Sequence, residues 1–95
     1  MTLRAQEITG DAENQPMTAP FTDTQGQYLA YIATYTKLHR RPPAEADLQQ
    51  YFGVTPPTVH HMIVVLTERG LIRRRPGQAR SIEVLVPPEH LPPLR

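Results

Sequence analysis

Hydroxyl and imidazole side chains are concentrated in one short segment, residues 53–61, which reads GVTPPTVHH. A threonine hydroxyl can donate or accept a hydrogen bond, and a neutral histidine does both through its two ring nitrogens. The segment therefore favours hydrogen-bonded recognition of a polar partner. The residues of these types are Thr55, Thr58, His60 and His61.

Arginine is concentrated further along the chain, in residues 69–80. Residues 69–80 contain Arg69, Arg73, Arg74, Arg75 and Arg80 and no Asp or Glu. Residues 21–86 carry eight Lys/Arg against five Asp/Glu, a net +3, whereas residues 1–20 carry a net −2. A concentrated positive charge is typical of a surface that binds nucleic acid. A solvated charged edge is the alternative interpretation.

The composition excludes several kinds of chemistry. There is no cysteine, which excludes disulfides, thiolate metal sites and a cysteine nucleophile. Neighbouring helical residues point about 100° apart, so His60 and His61 alone do not form a metal site, and no third ligand is near. No nucleophile stands beside a general base. We therefore expect no metal, no cofactor and no enzymatic activity.

The length of 95 residues indicates one small domain. The longest aliphatic run, MIVVL at 62–66, is far shorter than the roughly 20 residues of a membrane span. Residues 1–16 lack the apolar stretch of a secretory signal. We expect a soluble, cytoplasmic protein with no membrane partner.

The first predicted helix covers residues 22–39. Thr22 and Gln25 have the spacing of a capping box, and the prolines of RRPP at 40–43 end the helix. Gly26 is expected on its exposed side. The apolar stripe comprises Tyr28, Leu29, Ile32 and Tyr35, and we expect the tyrosines to pack rather than to stack on bases.

Two shorter helices follow, at 44–52 and at about 56–69. Gly53 ends the first of them; Thr55 caps the next, and Pro56 occupies its first position. Helical geometry places Val59, Met62, Ile63 and Leu66 on the core face. The opposite face then carries Pro57, His61, Val64 and Glu68, with Thr58 and His60 on its flanks.

Strand patterns follow at 71–75 and 81–86, separated by the turn PGQA. Ile82, Val84 and Val86 alternate toward the core. Three helices and a β-hairpin predict an α+β, mostly α fold, a winged helix-turn-helix formed by residues 21–86. In that fold the second helix of the pair lies in the DNA major groove.

The two ends differ in composition from the predicted domain. Residues 1–20 are polar, acidic and aperiodic, and they predict a disordered arm. Residues 87–95 are rich in proline and predict an extended tail. The paired prolines could also bind a proline-reading domain, but a disordered end is the simpler expectation.

Four segments carry a family resemblance: FTDTQGQYLAYI, RRPPAEADLQQYFGV, TPPTVHHMIVVLTERGLIRRR and GQARSIEVL. In this order and spacing they resemble the DNA-binding domain of the LexA repressor family over about residues 21–86. The resemblance implies base-reading roles for Thr55, Pro57, Thr58, His60 and His61. The family has Asn at the site of Pro57 and paired Glu at His60 and His61, so we expect a different target sequence here. Residues 1–95 contain no Ala-Gly cleavage site or Ser/Lys peptidase domain, so self-cleavage is not expected.

Residues and resemblance together predict a transcriptional regulator that binds double-stranded DNA. Threonine and histidine would contact base edges, and Thr55 with the first amides of the helix would suit a phosphate. Arg73, Arg74, Arg75 and Arg80 would contact the backbone or the minor groove. A homodimer on a two-fold site would supply tight binding. The alternative is a winged-helix module that docks on a protein through the hairpin or Val64.

Overall fold

The computed structural model describes residues 20–95, so the arm predicted at 1–20 lies almost wholly outside the described residues. The helices are α1 (Asp23–His39), α2 (Glu45–Phe52) and α3 (Pro56–Glu68). An antiparallel pair of short strands follows, β1 (Ile72–Arg73) and β2 (Glu83–Val84), and then a 3-10 turn at Pro88–His90. The predicted α+β, mostly helical winged helix-turn-helix is confirmed.

The start of α1 has the predicted capping box. The Gln25 amide donates to Thr22 Oγ1 at 3.1 Å, and the Thr22 amide donates to Gln25 Oε1 at 3.0 Å. The prediction for Gly26 is wrong, because this residue is buried. A Cβ added there would lie 3.0 Å from both the Phe21 ring and the Pro92 ring.

One core joins the three helices to the base of the hairpin. The core face predicted for α3 is confirmed: Val59, Ile63 and Leu66 are each fully buried. They belong to a single apolar cluster with Leu29, Ile32, Leu48, Leu71, Ile72 and Ile82. Since α3 is held by apolar contacts with α1, α2 and β1, its opposite face is presented outward at a fixed orientation.

The tyrosines stack on aromatic neighbours within the domain. Tyr28 lies parallel to Phe52 with 4.1 Å between ring centroids. Tyr31 stacks on Tyr51 at 4.3 Å. The prediction that these rings pack inside the domain is confirmed, and the stacks join α1 to the end of α2.

The hairpin is shorter than predicted, because only 72–73 and 83–84 form the ladder. The Arg75 amide donates to the Ser81 hydroxyl at 2.9 Å instead of to a strand carbonyl. Arg80 has a left-handed φ of 56°, which also interrupts extended pairing. The predicted turn is present: the Gln78 amide donates to the Arg75 carbonyl, around a Gly77 with φ of 75°.

The proline-rich segment 87–95 does not run outward as a simple extended tail. It forms the 3-10 turn and then lies against α1, where Leu91 packs on the core cluster. The contacts that hold this segment include Gln27, whose side chain no sequence pattern linked to it.

Candidate nucleic-acid interface

The start of α3 is built by residues that restrict the backbone. Gly53 ends α2 with φ of 65°, which is unfavourable for a residue with a Cβ. Thr55 is the N-cap, and its Oγ1 lies 2.9 Å from Thr58 Oγ1 and 3.4 Å from the Thr58 amide nitrogen. Pro56 and Pro57 occupy the next positions, where a missing N–H leaves no intrahelical bond unmade.

This cap leaves little for a phosphate to bind. Two of the first helical residues are prolines without an N–H, and the Thr58 amide faces Thr55 Oγ1. The Val59 amide already donates to the Thr55 carbonyl at 3.2 Å. The phosphate site suggested from the sequence therefore has no free amide pair at this helix start, and Thr55 acts first as a cap.

The outward face of α3 is polar and accessible near its beginning. Pro57, Thr58, His60 and His61 are all exposed, on the side away from the buried stripe. Val64, one turn further on, is half-buried. The face predicted from helical geometry is thus the one that the fold presents.

Glu45 lies between the outward face of α3 and the hairpin, an arrangement that the sequence did not indicate. Its Oε2 lies 3.6 Å from Arg74 Nη1, and its Oε1 lies 3.8 Å from His60 Nδ1. The contact to His60 is too long for a hydrogen bond. From the sequence, Glu45 is recognisable only as an acid at a helix N-terminus. Its neighbours His60 and Arg74 belong to elements further along the chain, so the sequence does not reveal these contacts.

The hairpin is the wing of this fold, and two of its four arginines predicted to contact DNA, Arg73 and Arg75, are exposed. The Arg73 guanidinium bonds Glu83 across the strand pair at 2.8 Å, yet 68% of its side chain remains accessible. Arg75 is exposed at the tip. Within residues 20–95, no carboxylate lies at ion-pair distance from Arg75.

Arg80 is directed into the domain. Its Nη1 donates to the Tyr35 hydroxyl at 3.0 Å, to Asp47 Oδ2 at 3.1 Å and to the Pro42 carbonyl at 3.4 Å. The hydrogen bond to Tyr35 is the largest cause that raises the pKa of Arg80 above its ordinary value, and Asp47 adds to it. These contacts fix the end of the hairpin loop to α1 and α2, a role that the sequence pattern did not predict.

The side chains and helices of residues 20–95 also bear on metal binding and on membrane insertion. Among residues 20–95, no three His, Asp or Glu side chains come close enough together to hold an ion. None of the helices described for this part of the chain combines the length and the apolar character needed to cross a bilayer.

Comparison with known proteins identifies the family. The model of the LexA DNA binding domain matches residues 18–81. The LexA repressor of Thermosipho africanus is 31% identical over 68 residues, covering 72% of this chain and 34% of the relative. The LexA repressor of Exiguobacterium sibiricum is 38% identical over 63 residues, covering 65% of this chain and 31% of the relative. The chain thus spans about a third of the length of these relatives, and it belongs to the LexA DNA-binding domain family.

Proposed function

We propose that this chain is a transcriptional regulator that binds double-stranded DNA in a sequence-specific manner, with α3 in the major groove and the wing on the adjacent backbone. The observation that carries the proposal is the exposed polar edge at the start of α3, held by a buried apolar stripe and flanked by the arginine-bearing wing. It rests further on the family to which the domain belongs. The proposed activity is binding alone, in the cytoplasm, with no catalytic residue and no cofactor.

Base recognition is proposed for the exposed residues of the first turns of α3. Thr58, His60 and His61 can each donate or accept at a base edge, and Pro57 can contact a thymine methyl through its ring. Thr55 contributes by fixing the start of the helix. Because these side chains differ in size and polarity from the family's acidic pair, the target sequence should be distinct.

Backbone contact is proposed for Arg73, Arg74 and Arg75. Each phosphate neutralised by a cation releases counterions, so the affinity should fall steeply as the salt concentration rises. Arg80 enters this proposal in a different role, as the residue that positions the loop, because its guanidinium is held by Tyr35 and Asp47.

A homodimer on a two-fold symmetric site is also proposed. One module of this kind buries only about 600–1,000 Å² of surface on DNA, which is small for tight specific binding. Two copies reading half-sites about one helical turn apart would double the contact area.

Selection of bound sequences from a random duplex pool tests the proposal. We expect an enriched, two-fold symmetric motif, together with a salt slope that becomes shallower by about one for each of Arg73→Ala and Arg75→Ala. A chain that binds no duplex DNA at low salt would refute the proposal. The protein-docking alternative is not favoured by the family match; it predicts no enriched motif and loss of partner binding with Val64→Asp.

A further inference from the structure

The tip of the wing, residues 75–81, is a closed loop. The Ser81 hydroxyl accepts a hydrogen bond from the Arg75 amide at 2.9 Å and donates to the Gln78 carbonyl at 2.9 Å. The Gln78 amide in turn donates to the Arg75 carbonyl at 3.1 Å, around Gly77 with its left-handed φ of 75°. These hydrogen bonds fix the backbone of Gln78 between the two ends of the loop.

The loop is also attached to the body of the domain. The Arg80 guanidinium is held by Tyr35 and Asp47, at 3.0 and 3.1 Å, and Ile82 is buried in the core. The backbone of the tip is therefore held in place by contacts within the free protein. A partner that binds it loses little affinity to the ordering of the loop.

The Gln78 side chain is left free by this arrangement. It is exposed, and among residues 20–95 the hydrogen bonds of Gln78 are made by its backbone alone. The other residues of the turn, Pro76, Gly77 and Ala79, have shorter side chains. The tip thus offers one primary amide, with two N–H donors and one carbonyl acceptor, to an outside partner.

The charge and width around this amide match the minor groove of DNA. Residues 74–80 contain three arginines and no acid. Within residues 20–95, no carboxylate lies at ion-pair distance from Arg75. A narrow turn of small residues beside a cation suits a groove about 6 Å wide, and A·T-rich DNA narrows this groove and makes its potential more negative.

We propose that Gln78 is a specificity-determining residue that reads A·T base pairs in the minor groove next to the major groove occupied by α3. This assignment, which rests on the proposed function, adds a base contact outside α3. Both orientations of an A·T pair present acceptors in the minor groove, N3 of adenine and O2 of thymine, to which the Gln78 side chain can donate. The contact therefore distinguishes A·T from G·C but not A·T from T·A.

A G·C pair is disfavoured for two reasons. Its guanine adds the N2 amino group, a donor that opposes the N–H groups of the Gln78 amide. The amide carbonyl can accept from that amino group, but the neighbouring Arg75 favours the narrower and more negative groove of A·T pairs. Together the two residues select A·T.

The test uses three duplexes that share the selected motif and differ at a flanking position. The position lies in the adjacent minor groove, about half a helical turn or roughly 5 base pairs from the bases contacted by α3, and neighbouring positions are scanned in turn. It carries A·T, G·C or inosine·C. Inosine keeps the major-groove edge of guanine but lacks the N2 amino group, so inosine·C resembles A·T in the minor groove alone.

Fluorescence anisotropy with the full 95-residue chain gives the three affinities. The affinities for A·T and inosine·C should both exceed that for G·C by about two- to tenfold, the usual range for one hydrogen bond. Gln78→Ala should make the three affinities equal. Gln50→Ala, which removes the same side chain from an exposed position of α2, is the matched control and should keep the ratio. Thermal unfolding checks that each variant is folded.

Three outcomes would overturn the assignment. The first is a preference for A·T that persists in Gln78→Ala, and the second is equal affinity of the unaltered chain for the three duplexes. The third is an inosine·C duplex that behaves like G·C, which would place the discrimination in the major groove. A chain that binds no duplex would overturn the proposed function as well, whereas selective binding of the motif with three equal affinities would overturn the role of Gln78 alone.

Discussion

Glu45→Gln should raise the affinity for DNA while slightly lowering the stability of the fold. In the free protein, Glu45 pairs with Arg74 at 3.6 Å and lies 3.8 Å from His60, so its carboxylate engages one residue, and lies beside another, that we propose contact DNA. Binding must exchange this carboxylate for phosphate or a base edge. The substitution keeps the shape of the side chain and removes the competing charge.

The size of the effect follows from the exposure of the pair. Both partners retain 32% of their side-chain accessibility, and partly exposed pairs of this kind contribute about 0.2–1 kcal/mol. DNA binding no longer has to break this ion pair in the Glu45→Gln variant, so the affinity for DNA should rise by up to about fivefold, since 1.4 kcal/mol corresponds to about tenfold. Glu45 also lies in the first turn of α2, where loss of an acid costs about 0.3–1 kcal/mol of stability.

The assay is fluorescence anisotropy with a selected duplex, at salt concentrations between about 50 and 200 mM. Urea unfolding gives the stability change. Glu89→Gln is the matched control, because it removes the same formal charge from the exposed 3-10 turn. A fall in affinity with Glu45→Gln would mean that Glu45 positions its partners for DNA and does not compete. An equal rise with Glu89→Gln would attribute the effect to net charge.

Three further predictions follow from the caps and ion pairs. Thr55→Ala should lower the free energy of unfolding by about 1 kcal/mol and Tm by about 4–8 °C, because the helix cap is lost. Thr55→Ser keeps the capping hydroxyl and should leave Tm nearly unchanged, and thermal unfolding of both variants measures the difference. Arg80→Gln should speed hydrogen exchange of the wing amides, including that of Arg75, whereas Arg75→Gln should not; equal rates in the two variants would contradict the positioning role. The pKa of Asp23 is lowered first by its hydrogen bond to Arg95, so the contact should persist above pH about 4, the ordinary aspartate range. The contact between Asp23 and Arg95 should be lost as the pH falls through the lowered pKa of Asp23. An NMR titration of the Asp23 carboxyl that shows no lowering of its pKa would refute this prediction.

The elements of the fold follow from local signals in the sequence. Thr22 with Gln25, Gly53, and Thr55 before Pro56 mark helix ends through contacts of three or four residues, and the structure has each of them. The outward face of α3 follows from helical periodicity alone. These features depend on neighbours along the chain, which is why they can be predicted.

The missing parts depend on contacts between distant segments. The hydrogen bond from Arg80 to Tyr35 spans 45 residues, and the bond from Arg95 to Asp23 spans 72. A count of the charges in residues 69–80 therefore includes Arg80 among the groups available to DNA, although the folded domain binds its guanidinium through Tyr35 and Asp47. Likewise, proline content alone predicts an extended tail, because the side chains that order it, which include Gln27 on α1 and Tyr51 on α2, lie more than 40 residues away along the chain.

The polar edge at the start of α3 is the part of the molecule that we propose reads bases, and a double-mutant cycle between protein and DNA measures this recognition. His61→Ala is combined with each single base-pair change in the selected duplex, and the four affinities of each cycle give a coupling energy. We expect a coupling energy of about 1–3 kcal/mol, the usual cost of one lost base contact, at one position of each half-site. Coupling near zero at every position, both for His61→Ala and for the corresponding alanine variants of His60 and Thr58, would contradict base reading by α3.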